Sequence, residues 1–97
     1  MNSLFDWSLV RSFLAVLEKG SLLAASRDLQ LSQPTIGRHV AELESQLGLV
    51  LFDRNGRGLL PTEAAYHLAE SARIMQSGAD QLARNVMGAD LGASGTV

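Results

Sequence analysis

Between Glu63 and Met87 the chain places an apolar residue every three or four positions: Ala65, Leu68, Ala72, Met75, Ala79, Leu82 and Val86. Alternating steps of three and four sustain a 3.5-residue period, which marks a seam built to meet another helix rather than a generic amphipathic face. Pro61-Thr62-Glu63 opens this helix, with Thr62 as the N-cap and Glu63 at the positive end of the helix dipole. At 1.5 Å per residue it is roughly 37 Å long. The roughly sixty residues before it can build only one small core, too small to cover the whole helix. The distal seam therefore calls for a partner, and Leu68, Ala72, Met75, Ala79, Leu82 and Val86 are the candidate dimerisation residues. Gly78 inside the seam costs about 1 kcal/mol of helix propensity.

Three shorter helices are expected upstream. Leu9, Val10, Phe13, Leu14, Val16 and Leu17 form one broad apolar face, preceded by Asp6, whose carboxylate can accept an orphan backbone N–H, and ended by Gly20. Trp7 reads as an anchor of this helix against the long one. Ser21 caps a second helix through Leu22, Ala25 and Leu29. Ser32-Gln33-Pro34 starts a third, because a hydroxyl and a proline suit a first turn whose N–H groups have no intrahelical partner. Its buried stripe is Ile36, Val40, Leu43 and Leu47, and Gly48 ends it. The opposite face carries Gln33, Pro34, Gly37, Arg38, Ala41 and Ser45, flanked by Thr35, His39 and Glu42. Those side chains are polar and mostly short, as suits a helix lying close against another surface. A β-like run, Leu49 to Phe52, and Leu59-Leu60 bracket Asn55-Gly56, the pair expected at the centre of a type I′ hairpin turn. Arg54 and Arg57 flank that tip. From Gly88 onward the chain is Gly-rich and reads as a linker.

Composition narrows the function classes. The 97 residues make one domain, and the formal net charge of −2 weighs mildly against a phosphate-rich partner. With no cysteine there is no disulfide, thiolate metal site or Cys nucleophile. The N-terminus lacks a basic region followed by an apolar one, and the apolar stretches, Leu49 to Phe52 among them, are far short of a membrane span, so a cytoplasmic location is expected. Asp28, Ser32 and His39 are triad residue types without triad spacing. His39 and His67 are the only imidazoles, which leaves zinc without a ligand set, and Gly56-Arg57-Gly58 is too short to cradle a dinucleotide. No enzyme activity, metal or cofactor is expected of this segment.

Helix, turn, helix and hairpin in this order describe a mainly α fold, a winged helix-turn-helix of three helices plus a short β-hairpin wing, followed by the long dimerisation helix. In that arrangement the third helix enters the DNA major groove and its first residues reach base edges. Gln33 can pair bidentately with adenine and Arg38 with guanine, while Pro34 and the Thr35 methyl can meet a thymine methyl. Ser32 and Thr35 hydroxyls at the helix N-terminus suit phosphate. Arg57 is a candidate minor-groove finger. Arg54 is placed between a phosphate contact and an ion pair with Asp53 or Glu44, Arg38 could instead pair with Glu42, and His39 is a candidate DNA contact that could instead be a solvated flank residue. A winged-helix module that binds protein rather than DNA is the alternative in another class.

Several runs of residues resemble one family. Phe13 with Val16, Gly20-Ser21, Ala25-Ser26 with Leu29, Leu31-Ser32-Gln33-Pro34-Thr35-Ile36 with Arg38, Leu43-Glu44, Leu47-Gly48 with Leu51-Phe52 and Arg54, and Thr62-Glu63-Ala64 are similar to the N-terminal domain of LysR-type transcriptional regulators. The resemblance runs from about Asp6 to Ala64. It implies a bacterial transcription regulator that binds an interrupted palindrome in double-stranded DNA as a homodimer, with tetramers of the full-length protein and RNA polymerase as further partners open to it. It also implies a C-terminal effector domain with a small-molecule effector, beginning after a pair like Gly95-Thr96-Val97. The expected organisation is a DNA-binding domain over 1–61, a linker helix over 62–88 and a flexible exit over 89–97. Departures from the family pattern are Ser26 where alanine is common, Gly37 where serine is usual, Leu23 where threonine is frequent and Ala65 where glycine is usual.

Charge placement completes the reading. Arg27, Arg38, Arg54 and Arg57 are balanced by Asp28, Glu42, Glu44 and Asp53, so the DNA-facing half is neutral and the acidic surplus lies outside it. One copy should hold DNA weakly, and useful affinity should need two.

Overall fold

The computed structural model describes residues 6–55 and 58–88. The elements run α1 (Trp7–Lys19), α2 (Leu22–Leu29), α3 (Gln33–Leu47), β1 (Phe52–Asn55), β2 (Gly58–Pro61) and α4 (Glu63–Gly88). Local chemistry sets most of the boundaries. Ser21 Oγ accepts from the Ala24 N–H (3.0 Å), and Ser32 Oγ accepts from the Thr35 N–H (3.2 Å). Gly20 and Gly48 close α1 and α3 in the left-handed region, at φ 91° and 69°, where a Cβ would be strained. Gln30 adopts the same region after α2 at φ 57°. Asp6 departs from expectation: its side chain caps nothing, and its backbone carbonyl alone accepts from Leu9 (3.1 Å) and Val10 (3.3 Å).

The core lies where α1 crosses α3 and α4. Phe13, Val16, Ala25, Ile36, Leu43 and Leu51 are buried there, and the Phe13 and Phe52 rings pack at 5.8 Å between centroids. Trp7 is half-buried against this cluster. Ser26 answers for the hydroxyl it introduces by donating to the Leu23 carbonyl one turn back (2.8 Å).

The hairpin is antiparallel, pairing Phe52 with Pro61, Asp53 with Leu60, Arg54 with Leu59 and Asn55 with Gly58. Asn55 thus sits in the ladder, and the connection is centred one residue later than the Asn-Gly signal suggests. The Leu49–Phe52 run also enters the strand only at its last residue. Burial explains both shifts. Leu51 and Phe52 go to the core, and Glu44 Oε2 fixes them by accepting from the N–H groups of Leu51 (2.7 Å) and Phe52 (3.2 Å). Thr62 then ties the wing to α4. Its N–H donates to the Leu51 carbonyl (2.9 Å), its hydroxyl donates to the Val50 carbonyl (2.7 Å), and its Oγ1 accepts from the Ala65 N–H (3.2 Å).

On α4 the apolar seam divides in two. Ala65, Ala69 and Ala72 are buried against the chain's own core, with Leu68 and Met75 partly buried beside them. Ala72, expected to meet a partner, is only 1% exposed and faces inward, because three small residues let α4 approach α1 closely. An ion pair between Glu18 and Arg73 (2.8 Å) ties the same two helices at the surface, where such pairs contribute about 0–1 kcal/mol. Farther along, Leu82 (64% exposed), Val86 (68%) and Met87 lie open. Among the described residues no helix is long and apolar enough to cross a membrane, and no group of His, Cys, Asp or Glu could hold a metal ion.

Candidate nucleic-acid interface

The first two turns of α3 stand clear of the core. Ile36 and Val40 anchor the helix below, while Ser32, Gln33, Pro34 and Arg38 are exposed and Thr35 is half-buried. The hydroxyls there are organised. Ser32 Oγ caps the Thr35 N–H and also donates to Thr35 Oγ1 (2.8 Å), and Arg38 Nη2 donates to the same Oγ1 at 3.4 Å. A hydroxyl has two lone pairs and one hydrogen. Thr35 Oγ1 thus gathers the Ser32 hydroxyl and the Arg38 guanidinium at the positive end of a 15-residue helix. One turn of helix therefore offers hydroxyls, a guanidinium and the Gln33 amide together.

Arg38 is not engaged by Glu42, which accepts instead from the Gln46 amide (3.4 Å). Arg54 is exposed on β1, opposite Leu59. Of its two expected alternative partners, Asp53 and Glu44, neither forms an ion pair with it among the described residues, and Glu44 instead accepts from the Leu51 and Phe52 N–H groups at the start of the hairpin. Arg57 lies outside the described residues. Gly20, Ser21, Leu22, Leu23, Gln33, Gly58 and Leu59 line a groove that separates the start of α3 from the wing. Leu23 is exposed on its rim, so the hydroxyl usual there is replaced by an apolar surface. Gly37 is also open: a Cβ built on it meets nothing within 4 Å.

His39, a candidate DNA contact or solvated flank residue by sequence, is half-buried. Its Nδ1 lies 2.7 Å from Ser12 Oγ on α1, so one edge of the imidazole is turned into the α1–α3 interface. Sequence reasoning passed over Ser12, although a polar residue between Leu9 and Phe13 on a buried face is itself a signal that a partner must exist. Of the expected dimerisation residues, Leu82 and Val86 are exposed, Leu68, Met75 and Ala79 are half-buried, and Ala72 is closed off.

Comparison with known proteins bears on this geometry. The family model "Bacterial regulatory helix-turn-helix protein, lysR family" matches residues 7–66. The HTH-type transcriptional regulator ClcR of Pseudomonas putida is 47% identical over 64 residues, covering 66% of this chain and 22% of ClcR. Among solved structures, the BenM DNA-binding domain in complex with catB site 1 DNA superposes with a TM-score of 0.80 at 27% identity, covering 92% of this chain and 100% of that one. The CbnR DNA-binding domain in complex with DNA gives 0.75 at 34% identity, covering 88% of this chain and 98% of that one. The chain spans about a fifth of the length of the curated relatives it matches first, 22% in each case.

Proposed function

The chain belongs to the lysR family of bacterial regulatory helix-turn-helix proteins, and from that premise we propose that it binds double-stranded DNA in a sequence-specific manner as a homodimer. The N-terminal half of α3 enters the major groove and the β1–β2 hairpin lies along the adjacent minor groove. The observation that carries this reading is the exposed array at the start of α3, where Ser32, Thr35 and Arg38 are linked by hydrogen bonds and no acid pairs with the guanidinium among the described residues.

Arg38 reads guanine O6 and N7, Gln33 reads adenine, and Pro34 with the Thr35 methyl packs on thymine. The Ser32 turn and the Thr35 hydroxyl take phosphate. Arg54 reaches the backbone from the wing, and Arg57 remains the candidate for the minor groove. The distal part of α4, from half-buried Ala79 to the exposed Leu82 and Val86, supplies the dimer contact and sets the spacing of the two half-sites. Transcription regulation, a cytoplasmic location, a small-molecule effector, tetramer formation and contact with RNA polymerase belong to the same proposal for the whole regulator, most of whose length in the relatives lies beyond the span compared.

Titrating duplex DNA against the chain over a range of salt concentrations tests the reading. Phosphate neutralisation predicts a steep negative slope of log K against log salt. No measurable duplex affinity at low salt would overturn it in favour of a winged helix that binds protein.

A further inference from the structure

Ser12 is the only polar side chain among the described residues that is buried as deeply as the core, at 0% exposure. It lies on α1 next to Phe13, and its sole side-chain partner among the described residues is His39 Nδ1, 2.7 Å away across the interface with α3. A buried hydroxyl left without an acceptor costs about 1–3 kcal/mol. In the neutral imidazole one nitrogen accepts and the other carries the proton, so the direction of this bond follows the tautomer. The tautomer that gives the buried Ser12 hydroxyl an acceptor is the one with the proton on Nε2.

The two nitrogens diverge widely around the five-membered ring. With Nδ1 held at a fully buried residue and His39 itself only half-buried, Nε2 is the nitrogen left for a partner outside the chain. His39 follows Thr35 by one turn, on the same flank of the exposed face, whereas Arg38 stands nearer its middle. The Thr35 hydroxyl on that flank is the group read above as a phosphate contact, and His39 one turn on extends the same edge.

We propose that Ser12 is a positioning residue for DNA binding: its buried hydroxyl fixes the ring and the tautomer of His39, so that Nε2–H donates to a phosphodiester oxygen. The inference rests on the DNA-binding reading above. A neutral donor makes its contact without releasing a counterion. Its loss should therefore weaken all sequences alike and leave the salt slope unchanged, unlike loss of Arg38, which should alter base preference.

Two measurements on the chain test this. Nitrogen-15 spectra of the imidazoles above neutral pH read the tautomer directly. The parent should show His39 protonated at Nε2, and Ser12→Ala should show exchange between tautomers. Duplex affinity at fixed salt should fall about threefold to tenfold in Ser12→Ala, the scale of one hydrogen bond, and by a similar factor in His39→Ala. In the double variant the two losses should not add, because Ser12 acts through His39.

A parent with the proton on Nδ1, a Ser12→Ala chain that binds like the parent, or additive losses in the double variant would each overturn the inference. The tautomer of the parent needs no variant to fold. If the parent shows no duplex affinity, the DNA reading fails and this inference with it. If the parent binds with a steep salt slope and Ser12→Ala has no effect, only this inference fails.

Discussion

Arg38 stands on the open face of α3 with its guanidinium 3.4 Å from Thr35 Oγ1, while Glu42 one turn on is occupied by Gln46. Arg38→Ala should weaken specific binding by about 1–3 kcal/mol and relax one base position. Affinities for the preferred duplex and for its single-base variants at matched salt check this, and unchanged values would remove α3 from base readout. Gly37 permits a second prediction. It lies inside the helix with open space around its missing Cβ, so Gly37→Ala should raise stability by about 0.5–1 kcal/mol, seen as a higher urea midpoint. A lower midpoint would mean that the position is strained in a way this geometry does not show. At this scale, legibility followed distance along the chain. Ser21, Ser32, Gly20 and Gly48 act on neighbours within one turn and could be read directly from local patterns. The Ser12–His39 bond joins residues 27 apart, and no local pattern announces it.

The helices followed from periodicity and caps, down to the breaks at Gly20 and Gly48. The hairpin did not follow as closely, because its register answers to burial of Leu51 and Phe52 and to the Glu44 carboxylate, not to the turn residues alone. The seam of α4 was legible as a seam but not as two halves. An alanine stripe that packs against the same chain and an apolar row that is left open share one period, and only the position of α1 separates Ala72 from Leu82. Thr62 is the joint between these elements, holding the Val50 and Leu51 carbonyls while capping α4. Thr62→Ala should cost about 1–2 kcal/mol through loss of the cap. Thermal or urea unfolding measures it, and a loss near zero would show that water replaces those bonds without penalty.

For the whole molecule, a net charge of −2 does not decide against DNA, since what matters is where charge faces. Glu18 and Arg73 pair across α1 and α4, and Lys19 pairs with Asp28 (3.9 Å), so these groups are engaged away from the Arg38 cluster. The described residues place few cations on the candidate face, so on the proposed reading one copy should bind weakly and a second copy joined through α4 should supply the affinity by effective concentration. Leu82 is mostly exposed within the chain, so Leu82→Arg should leave the fold intact, shift sedimentation to the monomer and weaken binding to a full site far more than to a half-site. An unchanged dimer would show that the open row on α4 is not the contact.

On the proposed reading, α3 of two joined copies reads DNA sequence. Selection of bound duplexes from a random library tests it most directly. Enrichment of an inverted repeat with a fixed interruption, whose half-site loses its preference at one position when Arg38→Ala is used, is the result predicted. Recovery of duplexes with no shared sequence, or of one unchanged by Arg38→Ala, would contradict it.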